Sequence, residues 1–550
     1  MGLKGIFART SLAKYSEALR AAPREVIWSP VLLGAAFIYA AAAIPLTWDQ
    51  GAGSAVPSLA GFQHHFGISS GSNAGAIKNF VSLVYIGDAV GAALSFLIND
   101  QVGRRWAYRI YLAVWALGYI VLITSPNVAG LYASRVISGL GIGALSVVGP
   151  LAIIEIAPPQ IRGVLGAWYT VCQLLALMTS TFCIYGVQLH IEPSRLQYQV
   201  VYIVPIVFMA LLAVASFFIP ESPRWLLMID RYDEARNALV TFRRLPETDP
   251  RLQEELDEIV RSLRAETELT GTGARSFHGI KMVVKEMFTV KANLRRLQQI
   301  LILYMLPQLS GGNSFTNYFI PIVKIVGAWH NATHGIFLNA LYGTAKFVFS
   351  LIASFLLIDV IGRRGSLFLG VTIQLIADIY LAVYTKVNLD GGASRGASEG
   401  ALAFVFIQAF GYTTGLLTLP YVLGSEIWPN RVRSLGAALS QTFHWLFHFS
   451  MTYAVPSLLA RTNNWGGFIF FAVWCVLALL YVYLMVPEVA NLTMEEIDHI
   501  YQDSHLLLGR RYKGSSKPKS DESQVLDGLE LEYIASNMTS GDAKDKRRVR

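Results

Sequence analysis

The chain has 550 residues, of which 53% are apolar and only 15% charged, against about 45–50% and about 25% in an ordinary soluble domain, so a soluble globular protein is excluded. The net charge of +8 is spread over alternate short loops rather than gathered on one polar module, which argues for membrane topology and against nucleic acid as a partner. Cys172, Cys183 and Cys475 fall inside apolar stretches without metal-ligand spacing, so neither a disulfide framework nor a zinc site follows.

Residues 1–26 are polar and basic, carry Lys4, Arg9, Lys14, Arg20 and Arg24, and hold no apolar core with a small-residue cleavage site, so no signal peptide is expected. Twelve apolar runs follow, at about 31–58, 77–99, 107–124, 129–153, 163–187, 200–219, 298–324, 335–358, 366–386, 400–424, 434–459 and 467–486. Each is near the roughly 20 residues a helix needs to cross a hydrocarbon core about 30 Å thick. The expected fold is an all-α membrane protein with 12 transmembrane helices: an N-terminal segment (1–30), two six-helix bundles (31–219 and 298–486) joined by a linker (220–297), and a C-terminal tail (487–550). Arg104, Arg105, Arg162, Arg363, Arg364, Arg431 and Arg433 occupy every second short loop, whereas the opposite loops hold only scattered cations such as Lys78, Arg195, Lys324 and Arg461. By the positive-inside rule both termini are cytoplasmic.

Within the linker, Ala235, Ala238, Leu239, Leu252, Leu256, Ile259, Val260 and Leu263 keep helical spacing under dense charge, which predicts cytoplasmic amphipathic helices. The tail from about Ser515 is rich in Ser, Lys and Asp and is expected to be disordered. Asn331-Ala332-Thr333 spells a glycosylation acceptor in an outside loop; so short a loop beside the membrane favours chance.

The chain repeats itself. Asp100-Gln101-Val102-Gly103-Arg104-Arg105 recurs as Asp359-Val360-Ile361-Gly362-Arg363-Arg364, Glu155, Pro158 and Arg162 recur as Glu426, Pro429 and Arg433, and Pro220-Glu221-Ser222 is echoed by Pro487-Glu488. The order is the same in both halves, which argues for duplication. Acid and base matched at equivalent helix ends predict a charge network that closes the cytoplasmic side and parts when the halves rock. The candidate gate residues are Asp100, Gly103, Arg104, Arg105, Glu155, Arg162, Glu221, Arg224, Asp359, Gly362, Arg363, Arg364, Glu426 and Arg433. Topological anchoring would account for the arginines but not for the carboxylates that recur with them.

Together with Arg135, Gly139-Leu140-Gly141-Ile142-Gly143, the run Pro220 to Leu226, and Gln308-Leu309-Ser310-Gly311-Gly312-Asn313, these motifs resemble the sugar porter family of the major facilitator superfamily over about residues 30–505, with fungal sugar, quinate and uronate permeases the nearest in pattern. The resemblance implies a monomer with the major facilitator fold, working without a cofactor. It further implies a carrier in the plasma membrane importing a monosaccharide, polyol or sugar acid by alternating access. An enzyme is not expected, since no nucleophile, base and orienting group cluster. A transport-inactive nutrient sensor and an exporter of a polar metabolite stand as alternatives.

An ionisable residue inside a span is costly and therefore a functional candidate. Asp49, in Trp48-Asp49-Gln50-Gly51, matches the span 1 Asp of proton-coupled family members, and Arg135 the arginine paired with it. A carboxylate whose guanidinium partner moves through the cycle can load and release a proton, so proton symport with Asp49 as carrier is expected; a fixed ion pair joining two helices is the alternative. Asp88, in Gly87-Asp88-Ala89-Val90-Gly91, is either a second protonatable group or a locally hydrogen-bonded residue, and its face is open; Asp378 in span 9 is expected outside the cavity wall.

A sugar needs amides for its hydroxyls and aromatics for its ring. By resemblance these are Gln173 in span 5, Gln308, Asn313 and Asn317 in span 7, and Trp445 in span 11. Pro307 and Tyr421 depart from the glucose-type pattern, and His444 and His448 stand where many members carry Asn. The run Leu341 to Lys346 resembles fungal porters for quinate and uronic acids. A buried Lys346 near two histidines predicts positive charge for a substrate carboxylate, unless Lys346 pairs internally with a group such as Asp88. His444 and His448, four apart, have no evident third ligand, so no metal is expected. The Gly139-x-Gly141-x-Gly143 run lies inside an apolar span without a preceding strand, where close helix packing explains it better than a nucleotide loop.

Overall fold

A computed structural model describes residues 10, 13, 16–17, 19–20, 24–68, 74–270, 277–328, 331–392, 394–429, 432–488 and 500–501. The tail beyond residue 501, Arg431, and the side chains of Asp359 and Glu426 lie outside the described residues.

All twelve apolar runs are helical. Ten are long and apolar enough to cross a membrane: Pro30–Ser58, Gly75–Val102, Arg104–Thr124, Val128–Ile156, Arg162–His190 and Arg195–Phe218 (spans 1 to 6), then Ala332–Leu357, Arg363–Leu389, Gly396–Tyr421 and Trp465–Met485 (spans 8, 9, 10 and 12). The other two depart for physical reasons. Span 7 is broken into Lys291–Leu309, Gly312–Asn317 and Phe319–Ile325, with Pro307 in its first piece and Gly311 at φ +84° in the first break. Span 11, Arg433–Arg461, is continuous, but buried Gln441, His444, His448 and Thr452 dilute its hydropathy.

Spans 2 and 4 pack backbone to backbone. A Cβ on Gly143 would stand 1.8 Å from the Asp88 carbonyl oxygen, and one on Gly139 would stand 2.2 Å from that of Val84. Gly141 turns the other way, where a Cβ would meet the Trp115 nitrogen of span 3 at 2.5 Å. The glycine run therefore serves two helix neighbours at once. Between the halves, span 2 lies on span 11 and span 5 on span 8. The internal repeat relates span 2 to span 8 and span 5 to span 11, so these two seams are equivalents of each other.

The repeated motifs also fold alike. Gly103 and Gly362 adopt φ of +87° and +85°, conformations that side chains disfavour. A Cβ at Gly103 would meet Glu221 Oε2 at 2.7 Å, and one at Gly362 would meet Glu488 Oε2 at 2.6 Å. Glu221 accepts the backbone N–H groups of Arg104 and Arg105 at 3.1 Å and of Ser222 at 2.9 Å, and Glu488 accepts those of Arg363 and Arg364 at 3.1 Å. Each glutamate thus caps the start of a span, where unpaired N–H groups and the helix dipole favour an anion. Burial pushes the Glu221 carboxyl above the usual carboxylate range, against the pull of those N–H groups.

The linker forms helices at Pro223–Met228, Tyr232–Arg243, Pro250–Thr270 and Phe277–Thr289. Its expected apolar face is buried: Leu239, Leu252 and Leu256 form a small core with Val26 and Leu245. Arg243, 3% exposed, grips Glu255 through Nε and Nη2 at 2.9 and 2.6 Å and donates from Nη1 to the Ile156 carbonyl at 2.9 Å. One side chain thereby ties two linker helices to the end of span 4.

Candidate functional site

Asp49 in span 1 and Arg135 in span 4 are 3% and 1% exposed. Arg135 Nη1 and Nη2 donate to Asp49 Oδ1 and Oδ2 at 2.5 and 2.6 Å, and the Tyr119 hydroxyl adds a donor to Oδ1 at 2.9 Å. Arg135 Nε donates to the Phe80 carbonyl at 2.9 Å. The pair is bidentate and hydrogen-bonded on both sides, the condition under which a buried ion pair holds in low dielectric.

Asp49 lies on the wall of a central cavity between the halves, lined also by Gln50, Tyr85, Asp88, Gln173, Tyr304, Asn313, Tyr412, Tyr421, His444, Trp445 and His448. Tyr85, His448 and Trp445 form a nearly parallel aromatic face, with centroids 3.8 Å apart for Tyr85 and His448 and 5.7 Å for His448 and Trp445. Behind it, Asn313 Nδ2 donates to Gln308 Oε1 at 3.0 Å, and Asn313 Oδ1 accepts from the Tyr412 hydroxyl at 3.0 Å and from Gln50 Nε2 at 3.4 Å. The broken span 7 supplies Gln308, Asn313 and Asn317. Wide helical turns over Thr413–Leu417 in span 10 precede Pro420 and Tyr421 on the same wall; such turns recur at functional sites.

Of the expected binding residues, Gln173, Asn313, Tyr421, His444, Trp445 and His448 reach the cavity, whereas Gln308, Asn317 and Lys346 do not. Gln308 orients Asn313. Asn317 accepts from the Tyr85 hydroxyl at 3.1 Å and donates to His448 Nε2 and Thr452 Oγ1, each at 3.0 Å. Lys346 corrects the reading of a cationic pocket: its Nζ donates to Thr316 Oγ1 at 2.8 Å and lies 5.1 Å from the Tyr412 ring centre, behind the wall. Its alternative, an ion pair with Asp88, does not form either; Asp88 lines the cavity with Oδ1 unpartnered. Sequence reasoning missed Gln50, Tyr85, Tyr304 and Tyr412 on the wall. Tyr85 precedes Asp88 by three residues, one helical face, and that spacing was the available signal.

The candidate gate charges form tight clusters. Arg104 pairs with Asp100 at 2.9 Å and Glu155 at 2.8 Å, and the Ser222 hydroxyl donates to Glu155 at 2.6 Å. Arg105 Nη1 donates to the Ile219 carbonyl at 3.0 Å, and Arg364 Nη2 to that of Tyr483 at 2.7 Å. Arg433 Nη2 donates to the Trp428 carbonyl at 3.3 Å. Arg162 is exposed and faces the charges of Glu255, Glu258, Arg243 and Arg224. All described contacts of Arg104, Arg105, Glu155 and Glu221 stay within the first half, so these residues fasten one bundle rather than bridge two.

Contacts that cross the halves include Asn339 Nδ2 to Ser54 Oγ at 3.0 Å, Gln188 Nε2 to Thr333 Oγ1 at 3.5 Å, Tyr85 to Asn317 and Lys78 over the Tyr453 ring at 3.7 Å, and, deeper in the bundle, Gln50 to Asn313 and Trp445 Nε1 to Ser146 Oγ, each at 3.4 Å. At the linker end of the span 5–span 8 seam, a second void of about 210 Å³ opens between Thr170 and Leu174 on one side and Phe347 and Ser354 on the other.

Residues 35–501 match the family described as Sugar (and other) transporter. The hexose transporter HXT13 of Saccharomyces cerevisiae is 28% identical over 470 residues, 83% of this chain and 80% of that protein. A probable quinate permease of Aspergillus flavus is 28% identical over 494 residues, 88% of this chain and 90% of that one. The fold matches the xylose transporter XylE from E. coli in a partially occluded inward-open conformation, with TM-score 0.66 and 17% identity over 83% of this chain and all of that one. XylE, described as a proton:xylose symporter, bound to 6-bromo-6-deoxy-D-glucose matches with TM-score 0.65 and 20% identity, over 87% of this chain and 98% of that one. The chain is a multi-pass membrane protein with the twelve-helix major facilitator fold, and it belongs to the sugar transporter family.

Proposed function

We propose that this protein imports a monosaccharide or related polyol across the plasma membrane by alternating access, in symport with protons, as a monomer with both termini cytoplasmic. The observation that carries the reading is the saturated Asp49–Arg135 pair set in the wall of a central cavity whose lining is rich in amides and aromatic rings. Rocking of the halves would open the cavity and admit water to the pair, whose two members lie in the same bundle, and a proton on Asp49 then replaces the guanidinium as its partner. Gln173, whose amide has no hydrogen-bond partner among the described residues, and Asn313 offer donors and acceptors to hydroxyls, while Trp445, Tyr85 and His448 offer a stacking face. In this reading the contacts of Glu221 with Arg104 and Arg105, and of Glu488 with Arg363 and Arg364, keep each bundle rigid while the seams between spans 2 and 11 and spans 5 and 8 open and close. A sugar acid is the weaker substrate class, because Lys346 stands behind the wall; the quinate permeases among the relatives keep an acid on the test panel.

Uptake of labelled D-xylose, D-glucose, myo-inositol, quinate and D-galacturonate by a transporter-null cell, at pH 5 and 7.5 with and without a protonophore, tests the proposal. Acid-stimulated, protonophore-sensitive uptake of a neutral solute is the expected result. Silence across the panel by protein that reaches the surface would favour a sensor or an exporter.

A further inference from the structure

Two carboxylates share the cavity wall, and they differ in how they are satisfied. Asp49 is fully engaged by Arg135 and Tyr119. Asp88 is 1% exposed and its Oδ1 is buried with no hydrogen-bond partner. No basic group among the described residues forms an ion pair with it; Arg135 is taken by Asp49 and Lys346 by Thr316. Nor can span 2 turn Asp88 elsewhere, because the helix is pressed against span 4: a Cβ on Gly143 would lie 1.8 Å from the Asp88 carbonyl oxygen, and one on Gly87 would lie 2.3 Å from that of Val136.

A buried polar group without a partner is costly, and its partner must then come from what enters the cavity. Two adjacent hydroxyls present two donors at a spacing that the two oxygens of a carboxylate can accept together, in charge-assisted hydrogen bonds. The ring of such a solute would find its stacking surface on Tyr85, one turn earlier on the same helix, with His448 and Trp445 beside it. A solute that itself carries a carboxylate would instead meet Asp88 and no available cation, since Arg135 is held by Asp49 and Lys346 stands behind the wall.

Resting on the carrier reading above, we propose that Asp88 is the specificity-determining residue of the cavity: it accepts a pair of hydroxyls from a neutral polyhydroxylated solute and excludes solutes bearing a carboxylate.

Exchange of labelled solute by purified protein in liposomes, with no pH gradient, separates this assignment from proton coupling. Wild type should exchange at least one of D-xylose, D-glucose and myo-inositol, with competition from neutral solutes and none from quinate or D-galacturonate. Asp88→Asn keeps the shape and removes the charge; it should raise the KM for the neutral solute about 10- to 100-fold, the loss expected for hydrogen bonds to a charged group, leave the maximal rate nearly unchanged, and let the anions compete. Asp88→Ser, assayed the same way, serves if the amide variant fails to yield monodisperse protein. An unchanged KM and unchanged anion exclusion in either folded variant would overturn the assignment. So would wild-type preference for an anion, or a variant with normal KM that has lost only proton-driven accumulation, since that would make Asp88 a proton carrier. Wild type that exchanges none of the probes would overturn the carrier reading itself.

Discussion

Replacing Asp49 with asparagine separates the two jobs assigned to the buried ion pair. Asp49 receives two guanidinium N–H groups at 2.5 and 2.6 Å and the Tyr119 hydroxyl at 2.9 Å, and among the described residues the Arg135 side chain has one further hydrogen-bond partner, the Phe80 carbonyl. Asparagine keeps one acceptor and turns an amide N–H₂ toward the other guanidinium nitrogen, so the arginine stays charged and buried without a counter-ion. Removing one partner of a buried pair costs about 3–5 kcal/mol. The retained hydrogen bond returns about 1 kcal/mol, leaving a net loss of about 2–4 kcal/mol. Arg135→Gln should lose a similar amount. The double variant carries no orphan charge and should recover most of it, giving a coupling energy of about 2–3 kcal/mol in a double-mutant cycle. Thermal unfolding of detergent-purified protein reads the stability, and labelled-solute assays in liposomes read the function. Asp49→Asn should still exchange solute across the membrane but should not concentrate it against a gradient when protons are supplied. Uphill accumulation equal to wild type, or stability losses that simply add in the double variant, would refute the reasoning.

Three further outcomes follow from packing. Gly143→Ala places a methyl 1.8 Å from the Asp88 carbonyl oxygen and must part spans 2 and 4, so little monodisperse protein should be recovered, whereas Gly166→Ala, with open space around its Cβ, should behave as wild type by size-exclusion chromatography. Glu221→Gln keeps one acceptor for the start of span 3 and should cost about 1–2 kcal/mol, with Glu221→Ala costing more; equal melting shifts for the two would argue against capping. Lys346→Gln should leave the ratio of neutral to anionic competition unchanged, because Lys346 stands behind the wall, and a selective loss of anion binding would restore the cationic pocket.

The spans, the linker's buried face and the repeat were legible because each is written as a period. Of the residues chosen by helical spacing, Ala235, Ala238, Leu239, Leu252 and Leu256 are buried and Ile259, Val260 and Leu263 half-buried, and the glycine run packs helices as its small residues require. Asp49 and Arg135 stood out because each is a charge inside an apolar span, and the family resemblance implied their pairing. What escaped was direction. A rotation of one residue turns a helical side chain by about 100°, which is why Lys346 read as a cavity cation and Asp88 as undecided. The matched carboxylates at the span ends suggested ion pairs across the halves; Glu221 and Glu488 instead accept backbone N–H groups, a use that leaves no charge pattern in the sequence. Span 7 read as one helix because the apolar stretches on either side of Gly311, 300–306 and 318–326, together fill one membrane-crossing length.

The most direct test of coupling is to follow protons themselves. Purified protein in liposomes loaded with a pH-sensitive dye, held without a pH gradient, should acidify the lumen when the transported neutral solute is added outside under a lumen-negative potential, and Asp49→Asn should move the solute with no pH signal. Labelled solute entering the wild-type liposomes at full rate without any change in luminal pH would contradict the account.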